Sequence, residues 1–560
     1  MFHFRQGIKN IPEICVQHGV RKVIIAPGSR NAPLIFAFTE NTKIECLSIT
    51  DERSAGYFAL GIALQSGEAV ALVCTSGTAV LNFAPAIAEA YYLNLPLVVI
   101  TADRPAEMID QADGQTIRQT NIFANYIKSS FDLPVETINL SDLDFSDRQI
   151  SQAIDTALTY PQGPVHINVP MREPIYSALP DKHSNPKIIK TLSAEVSLNE
   201  ESIYFLQKSW TGYRKKMVIF GVSKKNSALN QLANLLAQEP DLVVIAENLS
   251  NISGKNIITQ PESFFSSLSD EEKKNYKPEL LITIGHSSIC KQLKLFLRNN
   301  NPIEQWQFDS SFAYIDTYKC LNLTSQGSAV KTLNKMPLGL TESSYSELFK
   351  IQNQIITKKH EEFVMNAPLS DMCVVKKLLK IIPENTDLHL ANSTSVRWTQ
   401  LFPTRSDLTY YCNRGTSGID GSMSTAAGFA YASKQSTVFL TGDISFIYDS
   451  NGLWNNYISN KFKVIVLSNN GGNIFRFIGD KQLMERSLDF FTTPHNVKIK
   501  ALVEAYGLNY LICNQTEELE ENLQQFIKSD KATVLEIFTN ADLNTENYMN
   551  YFKNLKNINL

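Results

Sequence analysis

The chain has 560 residues, more than one hydrophobic core usually serves, so about two to four domains are expected. Apolar residues make up 43% and charged residues 19%, a balance that excludes a disordered or fibrous protein. The net charge of −4 offers no general attraction to nucleic acid or anionic membrane, so an anionic ligand must be held by locally placed arginines and lysines.

The N-terminal stretch MFHFRQGIKNIPEIC lacks the apolar segment and small-residue cleavage site of a signal peptide. VRKVIIA (Val20 to Ala26) reads as a strand, followed by the loop PGSRNAP. KIECLSIT (Lys43 to Thr50) is the next strand, and DERSAGYFALGIALQSG supplies a helix closed by glycine. EAVALVCT is a third strand, GTAVLNFAPAIAEAYYLN a helix, LPLVVITA a fourth strand and PVHINVP (Pro164 to Pro170) a fifth. Strands that are apolar throughout and separated by helices predict a parallel sheet covered on both faces.

The middle third has the runs KMVIFGV, DLVVIAE and PELLITIG, a second α/β unit without the G-x-G-x-x-G fingerprint a dinucleotide needs. A polar helix, roughly Glu342 to Asn366, leads on. The last third repeats the pattern with DLHLANS, LTYYCNRG, STVFLTGD, FKVIVLSNN and KATVLEIF. The expected fold is therefore α/β, with three doubly wound parallel-sheet domains at 1–180, 193–340 and 365–560. None of the eight cysteines forms a C-x-x-C pair, and no apolar run approaches the roughly 20 residues of a membrane span. A reducing, cytoplasmic setting is expected.

Polar motifs fall at strand carboxyl ends in the first and third units, where open parallel sheets bind ligands. In TGDISFIYDSNGLWNNYISNKFKVIVLSNNGGNIF, Gly442-Asp443 closes one strand and Asn469-Asn470 closes the next. Both ends then point to one edge of the sheet. Mg2+ takes hard oxygen ligands and is commonly shared between protein and phosphates. The Asp443 carboxylate, the Asn470 amide oxygen and the Gly472 carbonyl would supply three ligands. Gly442 lets a phosphate approach the backbone, and the helix beginning near Ile444-Ser445 offers free N–H groups. Alone, Gly-Asp is a strand-end cap and Asn-Asn-Gly-Gly a turn; on consecutive strands they form one pattern.

That pattern resembles the G-D-x…N-N motif of thiamin diphosphate enzymes, and the resemblance implies a thiamin diphosphate cofactor with Mg2+ (or Mn2+). Asp443, Asn470 and Gly472 stand at its metal-binding positions, with Gly442, Ile444 and Ser445 against the cofactor. By the same resemblance Glu52, which opens the helix after the second strand, is the carboxylate that activates the cofactor through its aminopyrimidine N1'. Locally, a carboxylate at a helix start is also favoured by the helix dipole. Ile419 is a candidate for the apolar residue that props the cofactor in its bent shape, although it reads equally as a core isoleucine. In this superfamily the glutamate and metal domains come from different subunits, which implies a homodimer or a dimer of dimers with sites at the interface.

The runs APGSRNAPL, TDERSAGYFALGIA, TADRPAE, DGQTIRQ, NRGTSGIDGSMSTAAG and NNGGNIF together resemble the 2-succinyl-5-enolpyruvyl-6-hydroxy-3-cyclohexene-1-carboxylate synthase family of menaquinone biosynthesis. The resemblance is dense in the first and third units and sparse in the middle one. It implies decarboxylation of 2-oxoglutarate and conjugate addition of the resulting carbanion to isochorismate. Both substrates carry two carboxylates, which suit the planar, permanently charged fork of arginine. Carried over from the family, Ser29, Arg30, Arg104 and Gln115 would hold isochorismate, and Gln115 would assist proton transfer. Ser393, Arg397 and Arg414 would hold the oxoacid, with Ile474 and Phe475 on the apolar side. The family's basic pair from the middle domain corresponds to Lys291-Gln292, so Gln292 departs from the pattern. The competing reading is a carboligase or decarboxylase of the acetolactate synthase type, which acts on small mono-anionic oxoacids and would not need four arginines.

Overall fold

A strand that is apolar on both faces needs helices on both sides, and the chain meets that need three times. This computed structural model describes residues 5–556 apart from 178, 181–184, 193, 195, 287, 309–313, 340–341 and 479–485. Ser193 and Leu340, expected as edges of the middle unit, lie outside the described residues.

The first sheet comprises β1 (Lys22–Ile25), β2 (Glu45–Ser48), β3 (Val70–Cys74), β4 (Leu97–Asp103), β5 (Ser130–Asp132) and β6 (Val165–Pro170), in the order β2-β1-β3-β4-β6-β5. The middle sheet comprises β7 (Lys216–Phe220), β8 (Leu242–Ala246), β9 (Ile257–Ile258), β10 (Leu280–Ile284), β11 (Glu304–Phe308) and β12 (Leu321–Ser325), in the order β12-β11-β10-β7-β8-β9. The third comprises β13 (Asp387–Leu390), β14 (Thr409–Tyr411), β15 (Thr437–Gly442), β16 (Phe462–Ser468), β17 (Asn509–Cys513) and β18 (Thr533–Phe538), in the order β14-β13-β15-β16-β18-β17. All the pairings are parallel.

The fold class is the one expected, and the differences have local causes. Four of the five strands not foreseen, β5, β9, β12 and β17, are edge strands. An edge strand has one neighbour and carries little apolar pattern, as LNLTS in β12 shows. The fifth, β11, reads EQWQF; its Gln305 and Gln307 are buried, so it lacks the continuous apolar run of a central strand. The helix foreseen over GTAVLNFAPAIAEAYYLN is two, Thr78–Asn82 and Ala84–Leu93. Pro85 in the first turn of the second has no N–H to continue the first. The polar helix spans Tyr345–Met365. Among the described residues no helix is long and apolar enough to cross a membrane.

The first and third domains share a hydrophobic core that includes Leu72, Phe58, Ala426 and Val464. Helix Glu52–Ser66 lies against helix Ser422–Ala432 across this boundary. Glycine permits the approach: a Cβ on Gly61 would stand 2.1 Å from the Thr425 carbonyl oxygen, and one on Gly428 2.1 Å from that of Phe58. A second core joins the middle and third domains.

Candidate active site

In the third domain β15 pairs with β16 so that Gly442 stands beside Leu467, which places the following residues of both strands at one edge. Asp443 opens a short helix, Asp443–Tyr448, and is 1% exposed. Its Oδ1 accepts the Ile444 N–H at 2.7 Å, and Oδ2 accepts those of Asn469 at 3.1 Å and Gly471 at 3.0 Å. Burial pushes its carboxyl above the usual range, opposed by those amides and by His495. The loop has a left-handed Asn470 (φ 62°) followed by Gly471 at φ 136°, where a Cβ would stand 2.4 Å from the Thr492 carbonyl oxygen. Gly472 donates its N–H to that same Thr492 oxygen at 2.7 Å. The turn is thus fixed by backbone hydrogen bonds, and only glycine fits its centre.

The donors suit a hard divalent cation. Asp443 is held by amides and presents charge, and Asn470 offers an amide oxygen that accepts the His495 N–H at 3.1 Å. Asn473, just beyond, is 4% exposed, and neither atom of its amide has a partner. A buried polar group without a partner is costly unless a ligand satisfies it. A Cβ on Gly442 would meet nothing within 4 Å, so the backbone is open there to a bulky anion. Ser445 is buried and donates its hydroxyl to the Ile419 carbonyl at 3.4 Å, tying the helix start to the NRGTSGIDG loop. Ile444 and Ile419 are half-buried beside it.

The residues expected to hold an oxoacid gather after β13 and β14. Ser393 adopts φ 75°, and its carbonyl accepts from Arg397 Nη1 at 2.6 Å. Arg414 Nη1 donates to Asn392 Oδ1 at 2.9 Å, while Asn392 Nδ2 holds the Asn413 and Gly418 carbonyls at 2.7 and 2.8 Å. Burial lowers the pKa of Arg397, and the neighbouring charge of Arg414 lowers it further. Two half-buried guanidiniums that repel each other are a site waiting for an anion. Ile474 and Phe475 are half-buried beyond the ion loop, with the Phe475 ring 5.5 Å from that of Phe491.

A second arginine pair lies in the first domain. Arg30 is 7% exposed, donates Nη1 to the Met171 carbonyl at 3.2 Å and pairs with Glu173 at 3.1 Å. Burial lowers its pKa, and Arg104 adds to the shift. Arg104 Nη1 donates to Ser76 Oγ and to the Gln115 carbonyl, both at 2.7 Å. Gln115 meets Arg104 through its left-handed backbone (φ 56°), and the residue is exposed, as is Ser29. Glu52 begins its helix half-exposed, and its charge adds to burial in pushing the Cys74 thiol well up at the end of β3.

Lys291 is exposed at the start of helix Lys291–Asn299, and the Gln292 N–H caps onto Glu262 at 3.3 Å. On the next turn Lys294 is half-buried; burial lowers its pKa, Glu247 opposes this, and Arg414 adds to it. Lys294 is thus a middle-domain cation close enough to Arg414 to feel its charge, one turn on from Lys291. Sequence reasoning passed over it, as it did His495, Asn473 and Gln119. Gln119 is 1% exposed and joins the Gly77 N–H at 3.0 Å to the Ala102 carbonyl at 3.0 Å, fixing two strand-end loops. A spacing of three from Lys291 on an amphipathic helix was the available signal for Lys294; Asn473 and Gln119 stand inside the runs NNGGNIF and DGQTIRQ, and His495 has no local signal.

Two half-sites result. Ser29, Arg30, Arg104 and Gln115 gather in the first domain, and Asp443, Asn470, Gly472, Ile419, Ser393, Arg397 and Arg414 in the third. Among the described residues no hydrogen bond or ion pair joins Arg30 or Arg104 to the third domain. What the first domain does hold is the NRGTSGIDG loop from behind. Buried Glu89 accepts the N–H groups of Gly415 and Thr416 at 2.8 and 2.6 Å, and Tyr57 donates to Asp420 at 3.1 Å.

Residues 5–122 match the family model described as thiamine pyrophosphate enzyme, N-terminal TPP binding domain, and residues 392–537 the corresponding C-terminal TPP binding domain. The chain is 40% identical to the 2-succinyl-5-enolpyruvyl-6-hydroxy-3-cyclohexene-1-carboxylate synthase of Flavobacterium psychrophilum, over 98% of each chain. It is 38% identical to the protein of that name from Christiangramia forsetii, over 98% of each chain. A third, from Porphyromonas gingivalis, is 38% identical over 98% of this chain and 97% of its own.

Proposed function

Since the chain belongs to the 2-succinyl-5-enolpyruvyl-6-hydroxy-3-cyclohexene-1-carboxylate synthase family of thiamin diphosphate-dependent transferases, we propose that it decarboxylates 2-oxoglutarate and adds the remaining four-carbon unit to isochorismate, releasing CO2, as a step of menaquinone biosynthesis. The observation that carries the substrate choice is the pairing of mutually repelling arginines, half-buried Arg397 with Arg414 and buried Arg30 with Arg104. A small mono-anionic oxoacid would leave one charge of the Arg397–Arg414 pair unmatched, whereas a dicarboxylate matches both; Arg30 already pairs with Glu173, which leaves Arg104 to meet a second anion.

Asp443, Asn470 and the Gly472 carbonyl would hold Mg2+ or Mn2+, and Gly442 and Ser445 the diphosphate. Once bound, thiamin diphosphate supplies the nucleophilic carbon and the electron sink for loss of CO2. Glu52 would hold a proton toward N1' of the aminopyrimidine, and Ile419 would support the cofactor's shape. Arg397, Arg414 and Ser393 orient the oxoacid, with Lys294 adding positive charge. Arg30, Arg104 and Ser29 hold the acceptor, and Gln115 lies at their edge. Ile474 and Phe475 exclude water from the apolar side. The half-sites would meet when two copies of the chain associate as a homodimer, alone or paired into a tetramer, in the cytoplasm.

A substrate screen tests the reading. The protein with thiamin diphosphate and Mg2+ consumes 2-oxoglutarate plus isochorismate and yields the adduct by mass, and Glu52→Gln abolishes turnover. Turnover of pyruvate alone, with none of the dicarboxylate pair, would instead identify a carboligase of the acetolactate synthase type.

A further inference from the structure

Glu52 is flanked by two residues that both reach out of their own domain. On one side, Asp51 divides its carboxylate: Oδ1 caps the helix by accepting the Ser54 N–H at 3.2 Å, and Oδ2 accepts from Asn451 Nδ2 at 2.7 Å. On the other, Arg53 Nη2 donates to the Tyr448 carbonyl at 2.8 Å, and its guanidinium lies 5.0 Å from the centre of the Tyr448 ring. The same guanidinium stands 3.8 Å from Asp449, whose side chain is fully buried. Asp449 is itself anchored, accepting the Ser424 N–H at 2.7 Å and the Ser424 hydroxyl at 2.8 Å. Asn451 is braced from its far side by the Tyr506 hydroxyl at 3.3 Å.

The third-domain segment 448–451 therefore grips the chain immediately before and immediately after Glu52. The short helix Asp443–Tyr448 carries the proposed ion ligand at its first residue and this grip at its last. General domain docking does not need contacts so placed. The broad contact between these domains is already made by the glycine-lined crossing of helices Glu52–Ser66 and Ser422–Ala432. A carboxylate that shares a proton with one ring nitrogen needs its direction fixed, because a misplaced donor–acceptor pair forfeits most of its effect.

We propose that Arg53 and the Asp51–Asn451 pair are positioning residues, which aim the Glu52 carboxylate by clamping both its neighbours to residues 448–451 of the same chain. The proposal rests on the reading of Glu52 as the activating carboxylate. It assigns no contact with substrate or cofactor to Arg53 itself, so its loss acts on proton exchange and leaves cofactor affinity nearly intact.

The test uses the full chain loaded with thiamin diphosphate and Mg2+, and reads exchange of the cofactor C2 proton for deuterium by quenched-flow NMR. Cofactor affinity and melting temperature are measured alongside. Asn451→Ala, which frees Asp51 but keeps the helix cap, and Arg53→Ala are each expected to slow exchange by about tenfold or more. Cofactor affinity should change by less than about threefold. Arg53→Lys, which retains charge beside Asp449 but loses the planar fork, should fall between Arg53→Ala and the parent. Should Arg53→Ala fail to fold, Asn451→Ala carries the test. Unchanged exchange in Asn451→Ala, with Glu52→Gln slow, overturns the clamp and keeps Glu52. Unchanged exchange in Glu52→Gln overturns the reading of Glu52, and the clamp with it.

Discussion

The first and third domains are the same sheet built twice. In each, the second strand is outermost and is followed by the first, third, fourth, sixth and fifth. Their matched loops nevertheless carry opposite chemistry. After the second strand comes Glu52 in one and Arg414 in the other; after the fourth, Arg104 in one and the Asn470 turn in the other. The middle domain has a different order, equivalent to 3-2-1-4-5-6, which elsewhere holds dinucleotides, but it lacks their glycine fingerprint. A sheet supplies an edge at which loops converge, and the loop residues alone decide what binds there.

The sharpest way to break this contrast is at the ion loop. Asp443→Ala is expected to weaken thiamin diphosphate binding in Mg2+ by at least about 100-fold, measured by titration calorimetry. Arg104→Ala at the matched first-domain loop should leave that affinity within about threefold. An Arg104 variant that lost the cofactor equally would mean that the two loops do not divide the work.

The arginine pairs divide next. Arg397→Ala or Arg414→Ala removes a charged hydrogen-bonding group and leaves its neighbour's anion poorly neutralised, so KM for 2-oxoglutarate should rise by about 100-fold. KM for isochorismate should change little. Arg30→Ala is expected to do the reverse. Steady-state kinetics with each substrate varied in turn would show the crossover.

How far this was legible in the sequence follows the same division. Motifs contiguous in the chain, such as PGSR, DER and NNGG, could be read because a strand end and its loop are neighbours in sequence. Asp443 and Asn470 were legible together because consecutive strands of this topology lie side by side. His495 was not, since a loop folding back across 25 residues leaves no periodic trace. Gln119 was hidden because the DGQTIRQ segment turns inward there while Gln115 stays exposed. Lys294 was hidden because the middle domain carries little of the family resemblance, and LLITIG is the only run there that aligns its helix. Four of the six edge strands, short or polar, escaped, whereas the three-sheet frame was plain from its central strands.

The turn at Gly471 and the domain boundary yield smaller effects. Gly471→Ala forces an L side chain into a positive-φ turn against the Thr492 carbonyl and should cost about 1–3 kcal/mol in denaturant unfolding. Asp449, which backs Arg53, has its pKa pushed up to about 7, chiefly by burial. A carboxyl raised in the folded state stabilises most when protonated, so its contribution is complete below about pH 4 and is lost as pH rises to about 7. The stability difference between the parent and Asp449→Asn should therefore shrink across that window and stay level above it, as read from urea unfolding at several pH values.

The proposed homodimer completes each half-site with a second copy of the chain, which a complementation experiment addresses directly. Glu52→Gln and Asp443→Ala chains, each inactive alone, are co-expressed with different tags and the mixed dimer is purified. Sites shared between copies leave one of the two intact, and the mixed dimer should show about half of the parent's turnover. Sites built within a single chain leave each chain with one defect, and a mixed dimer without activity would contradict the account.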